Sequence, residues 1–244
     1  MSKSSYFIVG TLALSLAACG DELIERDAEL LSTGQTARGA GTRLHVVTPG
    51  SFSGWSGRSG GTRVVLSRPP SDDLYFWGAN LNERYDDPCH MWTFFSAITE
   101  SDRHISKDRT FEECGTWGPH AGGNTMRVRM GPDFKTTGLA VCLNSDETKM
   151  KGFALVGRYQ RCIRDQSLTA RGHSCLNGGP LHIDAEERNN CPGSKNGPDG
   201  DWEAIVECPL GSVMTGIELN TRAGGGSRRM VNGARAICHR LDKY

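Results

Sequence analysis

One short string recurs along the chain and constrains its fold more than any other feature. Gly78-Ala79-Asn80-Leu81-Asn82-Glu83-Arg84 and Gly216-Ile217-Glu218-Leu219-Asn220-Thr221-Arg222 agree at Gly, Leu, Asn and Arg. A fainter copy opens at Thr137-Gly138-Leu139-Ala140-Val141 and continues at Met150-Lys151-Gly152-Phe153-Ala154-Leu155, which parallels Met230 to Ile237. The three glycines, Gly78, Gly138 and Gly216, stand 60 and then 78 positions apart. A strand–turn–strand unit cannot bury its apolar face alone. Three copies in one chain therefore predict a single domain with pseudo-threefold symmetry.

The pattern around these copies has the period of strands. Met126-Arg127-Val128-Arg129-Met130 alternates strictly, Trp202, Ala204, Val206 and Cys208 share a face, and so do Val213, Thr215, Ile217 and Leu219. Turn residues such as Asn196-Gly197-Pro198-Asp199-Gly200 separate the runs. Short alternating strands with polar turns predict an all-β domain over residues 43–244, its sheets antiparallel and packed on one side only.

The stretch Cys208-Pro209-Leu210-Gly211-Ser212-Val213-Met214-Thr215-Gly216-Ile217, with Val231-Asn232-Gly233-Ala234-Arg235-Ala236-Ile237-Cys238, resembles a module of the vitelline membrane outer layer protein I family. The resemblance implies a β-prism, three Greek-key sheets about a pseudo-threefold axis, with roles in carbohydrate association or extracellular coats and no catalytic residue to carry over. The family's acidic turn is replaced here by Gly224-Gly225-Gly226-Ser227-Arg228-Arg229. A β-trefoil is the alternative threefold fold, although its repeats are shorter than these spacings.

The N-terminus reads as an address. Lys3 precedes the apolar run Tyr6 to Leu16, and Leu16-Ala17-Ala18-Cys19 resembles a bacterial lipobox. Residues 1–18 are expected to be a signal peptide and Cys19 the lipidated N-terminus of the mature chain. Residues 19–42 are then a flexible tether containing a weak helical period over 22–31. Gly20 after the cysteine points to the outer membrane, facing the periplasm or the surface. Removing residues 1–18 takes away Lys3 alone, leaving 27 basic against 28 acidic residues. Without clustered basic charge, nucleic acid is not an expected partner.

Eight cysteines remain: Cys89, Cys114, Cys142, Cys162, Cys175, Cys191, Cys208 and Cys238. An even number in an exported chain predicts disulfides, and pairing of successive cysteines gives the most compact loops. Zinc is the competing reading, from His173 beside Cys175. The chain has no Cys-x-x-Cys pair, and an oxidising compartment favours bridges.

No other constellation compels chemistry. Glu112-Glu113 and Glu186-Glu187 are adjacent pairs whose members face opposite ways on a strand, and Glu100, Asp102 and His104 form a third polar group. His182, Asp184 and Glu186 alternate on one strand face, and Asp199-Gly200-Asp201 lacks the further oxygen ligands of a calcium loop. Gly54-Trp55-Ser56-Gly57 is a fragment of a nucleophile elbow without the surrounding α/β pattern.

The tryptophans say more. Trp92 and Trp202 read as core residues, whereas Trp55 and Trp117 lie among Gly, Ser and Pro, where an exposed ring can stack on a sugar. The expected protein is thus a lipid-anchored, exported binding protein that recognises a glycan or another extracellular polymer at Trp55 and Trp117. It is expected to work without catalysis, cofactor or metal. The alternatives are a structural lipoprotein whose partner is an envelope protein, and a polysaccharide hydrolase.

Overall fold

In the computed structural model, which describes residues 44–68, 73–84, 87–98, 104–112, 125–144, 146–187, 202–224 and 229–243, the repeated string forms the same element three times. Each copy is a long antiparallel hairpin: β4 (Leu74–Arg84) with β5 (Asp87–Ala97), β8 (Phe134–Leu143) with β9 (Met150–Tyr159), and β14 (Ser212–Ala223) with β15 (Arg229–Lys243). A third strand joins the second arm of each hairpin and a fourth joins the first arm, a Greek-key order. The first sheet runs β6-β5-β4-β7, with β6 at His104–Glu112 and β7 at Thr125–Arg129. The second runs β12-β9-β8-β13, with β12 at His182–Glu187 and β13 at Val206–Glu207. The third runs β1-β15-β14-β3, with β1 (Leu44–Phe52) and β3 (Thr62–Ser67) from the N-terminal side. A two-residue strand, β2 (Ser56–Gly57), pairs with β15 from outside the path. Three open sheets in this order make a β-prism-like domain, not the closed barrel of a trefoil. Thr42–Tyr244 forms one compact unit.

The recurring glycines mark one device. A β-bulge falls between Phe76 and Gly78, between Thr136 and Gly138, and between Met214 and Gly216, so Trp77, Thr137 and Thr215 are the extra residues. At each site the fourth strand crosses close by. A β-carbon on Gly78, Gly138 or Gly216 would stand under 3.0 Å from the carbonyl oxygen of Val128, Val206 or Leu66. Glycine recurs because no larger residue lets the backbones approach so closely. One and three residues further on, Ala79, Leu139 and Ile217, and then Leu81, Val141 and Leu219, enter the shared core. At another equivalent position Tyr75 and Val213 pack together, and the buried Lys135 sets its Nζ 4.5 Å from the Tyr75 ring centre.

Several sequence expectations need correction. The bulge reverses the phase of β14, so Met214 joins Ile217 and Leu219 in the main core. Thr215, expected on their face, instead turns its hydroxyl to the Ile237 carbonyl and the His239 ring. The expected strand from Trp202 to Cys208 is largely absent: Trp202 makes an isolated bridge to Cys142 and only Val206–Glu207 is strand. The sheets are not covered on one side only. β8 from Lys135 and β14 as far as Thr221 are buried on both faces, because chain segments cross their outer surfaces.

All six cysteines among the described residues are bridged. Cys208 pairs with Cys238 as expected; Cys162 pairs with the next cysteine, Cys175, which rules out the two-by-two order that would join Cys142 to Cys162 and Cys175 to Cys191. Cys142 opposes Gly152 near the turn of its hairpin, and Cys162 follows the open end. At about 3.3 Å per residue they lie far beyond the reach of a disulfide. Cys89 and Cys142 are also disulfide-bonded. Cys19, Cys114, Cys191 and the tether lie outside the described residues.

Candidate functional site

In each sheet, the link from the third strand to the fourth carries a tryptophan. Trp55 lies between β1 and β3, Trp117 between β6 and β7, and Trp202 between β12 and β13. Trp117 falls outside the described residues. The other two meet equivalent slots and fare differently. Trp202 packs against Ala140 and Ala154, a cross-strand pair of small residues, and is buried. The equivalent pair in the third sheet is Glu218 and Arg235. Two long polar side chains occupy the space that two alanines leave empty, so Trp55 remains half-buried above them.

That substitution builds a defined surface. Arg235 donates from Nε and Nη2 to Glu218 Oε2, at 3.2 and 2.9 Å. Glu218 is almost wholly buried, and Arg63 Nε approaches its other oxygen at 3.4 Å. The Arg235 guanidinium is thereby held with its carbon 3.9 Å from the Phe52 ring centre and 4.9 Å from that of Trp55. Arg63 lies 6.0 Å from the Trp55 ring. Phe52 is 50% exposed and Val65, which pairs with Glu218, is 56% exposed. The outer face of the third sheet thus presents two aromatic rings around a pinned cation, an arrangement suited to stacking and to donating hydrogen bonds.

The same connection leads into a polar cleft. Ser56 Oγ accepts a hydrogen bond from the Val141 backbone N–H at 3.0 Å, and Gly61 N donates to Asn220 Oδ1 at 2.7 Å. The loop is therefore tied down at both ends. Between it and the second hairpin turn is an open cleft of about 570 Å³ lined by Arg58, Asp146, Glu147, Asn220, Arg222 and Asn232, among others. Arg58 and Glu147 form an ion pair across it, and Asn220 Nδ2 donates to Asn232 Oδ1 at 2.7 Å. Amides, carboxylates and guanidinium groups at one opening are the donors and acceptors that a hydroxyl-rich ligand uses.

The structure separates the other candidates. His182 stacks on Phe134, with ring centres 4.3 Å apart, and Asp184 accepts the backbone N–H of Arg129 at 2.5 Å. Among the described residues no three His, Cys, Asp or Glu side chains gather as a metal site. His173 is exposed, whereas Cys175 is committed to its disulfide. Glu100, Asp102, Glu113 and Asp199 to Asp201 lie outside the described residues. The side chains of His104, Glu112, Glu186 and Glu187 are likewise not described. Trp92 and Trp202 are core residues, as expected. Phe52, Arg63, Glu218 and Arg235 escaped the sequence reading. Their signal was a single acid and a single base set into the apolar runs Ile217-Glu218-Leu219 and Ala234-Arg235-Ala236.

No protein-family model and no curated protein sequence matches the chain. Among solved structures it is similar to the Calsepa lectin in complex with a bisected glycan, at 12% identity and a TM-score of 0.40, over 78% of this chain and 98% of that one. The Calystegia sepium agglutinin is similar at 13% identity and a TM-score of 0.39, over 81% and 99%. The V. cholerae biofilm matrix protein Bap1 is similar at 8% identity and a TM-score of 0.40, over 83% of this chain and 25% of that one.

Proposed function

We propose that this is an envelope lipoprotein that binds a glycan, without catalysis, at the outer face of its third sheet. The observation that supports the reading is the Phe52–Arg235–Trp55 cluster. Its guanidinium is anchored by a buried carboxylate, and its aromatic rings stand at the surface where the equivalent tryptophan of the second sheet is buried. A sugar brings apolar C–H faces and a fringe of hydroxyls. The rings supply stacking surface, while the adjoining cleft supplies the exposed Arg222 and Asp146 for hydrogen bonds. Anchoring through Cys19 would hold this surface at the membrane, and several acyl chains make such attachment durable. The disulfides fit the oxidising compartment that export implies.

Two experiments test the reading. The full-length protein, purified with its bridges intact, is applied to a glycan array beside Trp55→Ala and Phe52→Ala. Reproducible binding that both variants weaken by about tenfold, about 1.4 kcal/mol, is the expected result. Silence from the folded protein would remove the glycan reading and turn attention to an envelope protein as partner. Separately, Cys19→Ser should abolish incorporation of labelled palmitate and release the protein from the membrane fraction. Retention of both by the variant would sink the anchor.

A further inference from the structure

The link from the second to the third strand differs between the first two sheets. In the first sheet it is residues 98–103. In the second it is residues 160–181, which form a one-turn helix α1 (Gln160–Arg164), a hairpin of β10 (Thr169–Ala170) and β11 (His173–Ser174), and a 3-10 turn. The Cys162–Cys175 bridge, with Ala170, Tyr159 and Leu168 around it, is the small core of this insertion. Arg158 fastens it to the sheet. Its Nε and Nη2 donate to the two oxygens of Glu207 on β13, and Nη1 donates to the carbonyls of Asn177 and Gly179. A helix of one turn does not hold itself in water, so this bracing is what directs its side chains.

Beside the insertion is a cleft of about 380 Å³ whose lining includes Asp133, Tyr159, Gln160, Arg161, Arg164 and Arg171. Arg161 and Arg164 are three residues apart on α1, hence on one side of it, where like charges repel. Neither has an acidic partner among the described residues. Arg171 is set at the hairpin tip by a left-handed φ of 46°, followed by Gly172 at 81°, the geometry of a type I′ turn. Its guanidinium meets Asp133 at 2.7 Å. Three guanidinium groups against one carboxylate leave an excess of positive charge in one concavity, within a chain of net charge zero.

We propose that this cleft binds the carboxylate of an acidic saccharide unit, with Arg161 and Arg164 as its charge partners and Gln160 and Tyr159 available to its hydroxyls. A guanidinium fork matches a planar carboxylate in geometry as well as charge. The cleft volume lies in the range of small-ligand sites, and its concavity suits one projecting group better than a flat lipid surface. It shares no lining residue with the Phe52–Trp55 face, so it stands whether or not that face binds a neutral sugar.

The test is calorimetric titration of the full-length protein with oligogalacturonate and with the methyl-esterified oligomer as its uncharged counterpart. Arg161→Gln/Arg164→Gln should weaken binding of the acid form at least about tenfold without moving the thermal midpoint. Arg161→Lys/Arg164→Lys should recover part of the loss, Trp55→Ala should leave this binding intact, and added salt should weaken it. Equal binding by the double Gln variant, equal binding of the esterified oligomer, or no binding of either would overturn the proposal. Capture on phosphatidylglycerol vesicles, lost in the double variant while oligogalacturonate does not bind, would also overturn it and assign the cleft to a membrane surface.

Discussion

His239 shows how much one side chain can depend on what covers it. It lies on β15 under the irregular Thr48-Pro49-Gly50 segment of β1, where the pairing of the two strands is interrupted. Gly50 sits so close that any β-carbon there would collide with the imidazole. Nδ1 shares a hydrogen bond of 2.6 Å with the Thr215 hydroxyl. Burial lowers its pKa below the ordinary value of about 6.5. The unfolded chain therefore takes up a proton more readily than the folded one. Stability from this site is full above about pH 6.5 and falls as the pH drops through that value toward the lowered native one. Urea midpoints should decline between pH 8 and pH 5, with His239→Gln flattening that decline; an unchanged slope in the variant would place the sensitivity elsewhere. None of this was legible in the sequence, where His239 is one more polar residue on an alternating strand. The partial exposure of Trp55 was legible, because Gly and Ser neighbours argue for it, but Arg235, whose guanidinium lies over its ring, comes from 180 positions further along the chain. Only the pairing of β14 with β15 sets Glu218 beneath it.

At the scale of elements, the threefold repeat could be read because it obeys a steric rule. Every hairpin needs a residue without a β-carbon where its bulge presses against the fourth strand, and a glycine survives in all three copies while most neighbours vary. Of the fourth strands, β7 was legible from its strict alternation, but β13 was not. β13 is two residues long, too short for any period, and the alternation of Trp202, Ala204, Val206 and Cys208 imitates a strand that the chain does not form. The reason is that Trp202 is held by its packing on Ala140 and Ala154, not by a ladder. Gly138→Ala should destabilise the protein by about 1–3 kcal/mol, the range for forced overpacking. Gly60 has open space where a β-carbon would go and no left-handed backbone. Gly60→Ala should therefore be neutral or stabilising by about 0.5 kcal/mol through the unfolded chain. Urea unfolding of the two variants side by side checks the contrast, and equal effects would refute the bulge account.

Across the whole molecule, the third sheet is closed by both ends of the domain, since β1 and β3 flank the C-terminal hairpin. That closure could not be read from local pattern, because the repeat at residues 216–237 has its two outer strands near residues 44–67 instead of downstream. The disulfides divide the labour along the same lines. Cys208–Cys238 spans 30 positions and ties the end of the second sheet to β15, so it constrains how two sheets meet. Cys162–Cys175 spans 13 and lies within the insertion. Loop-closure entropy assigns roughly 3–4 kcal/mol to the first and about 3 kcal/mol to the second, but the second acts only where its loop unfolds with the domain. Cys208→Ser/Cys238→Ser should therefore lower the global urea midpoint and speed amide exchange in β14 and β15. Cys162→Ser/Cys175→Ser should speed exchange mainly over residues 160–181 and leave the core strands protected, as expected when a subregion opens separately. Exchange that rises evenly over all three sheets in the second variant would mean that the insertion is part of the cooperative core. In that event the Arg161–Arg164 cleft would be as rigid as the hairpins that carry it.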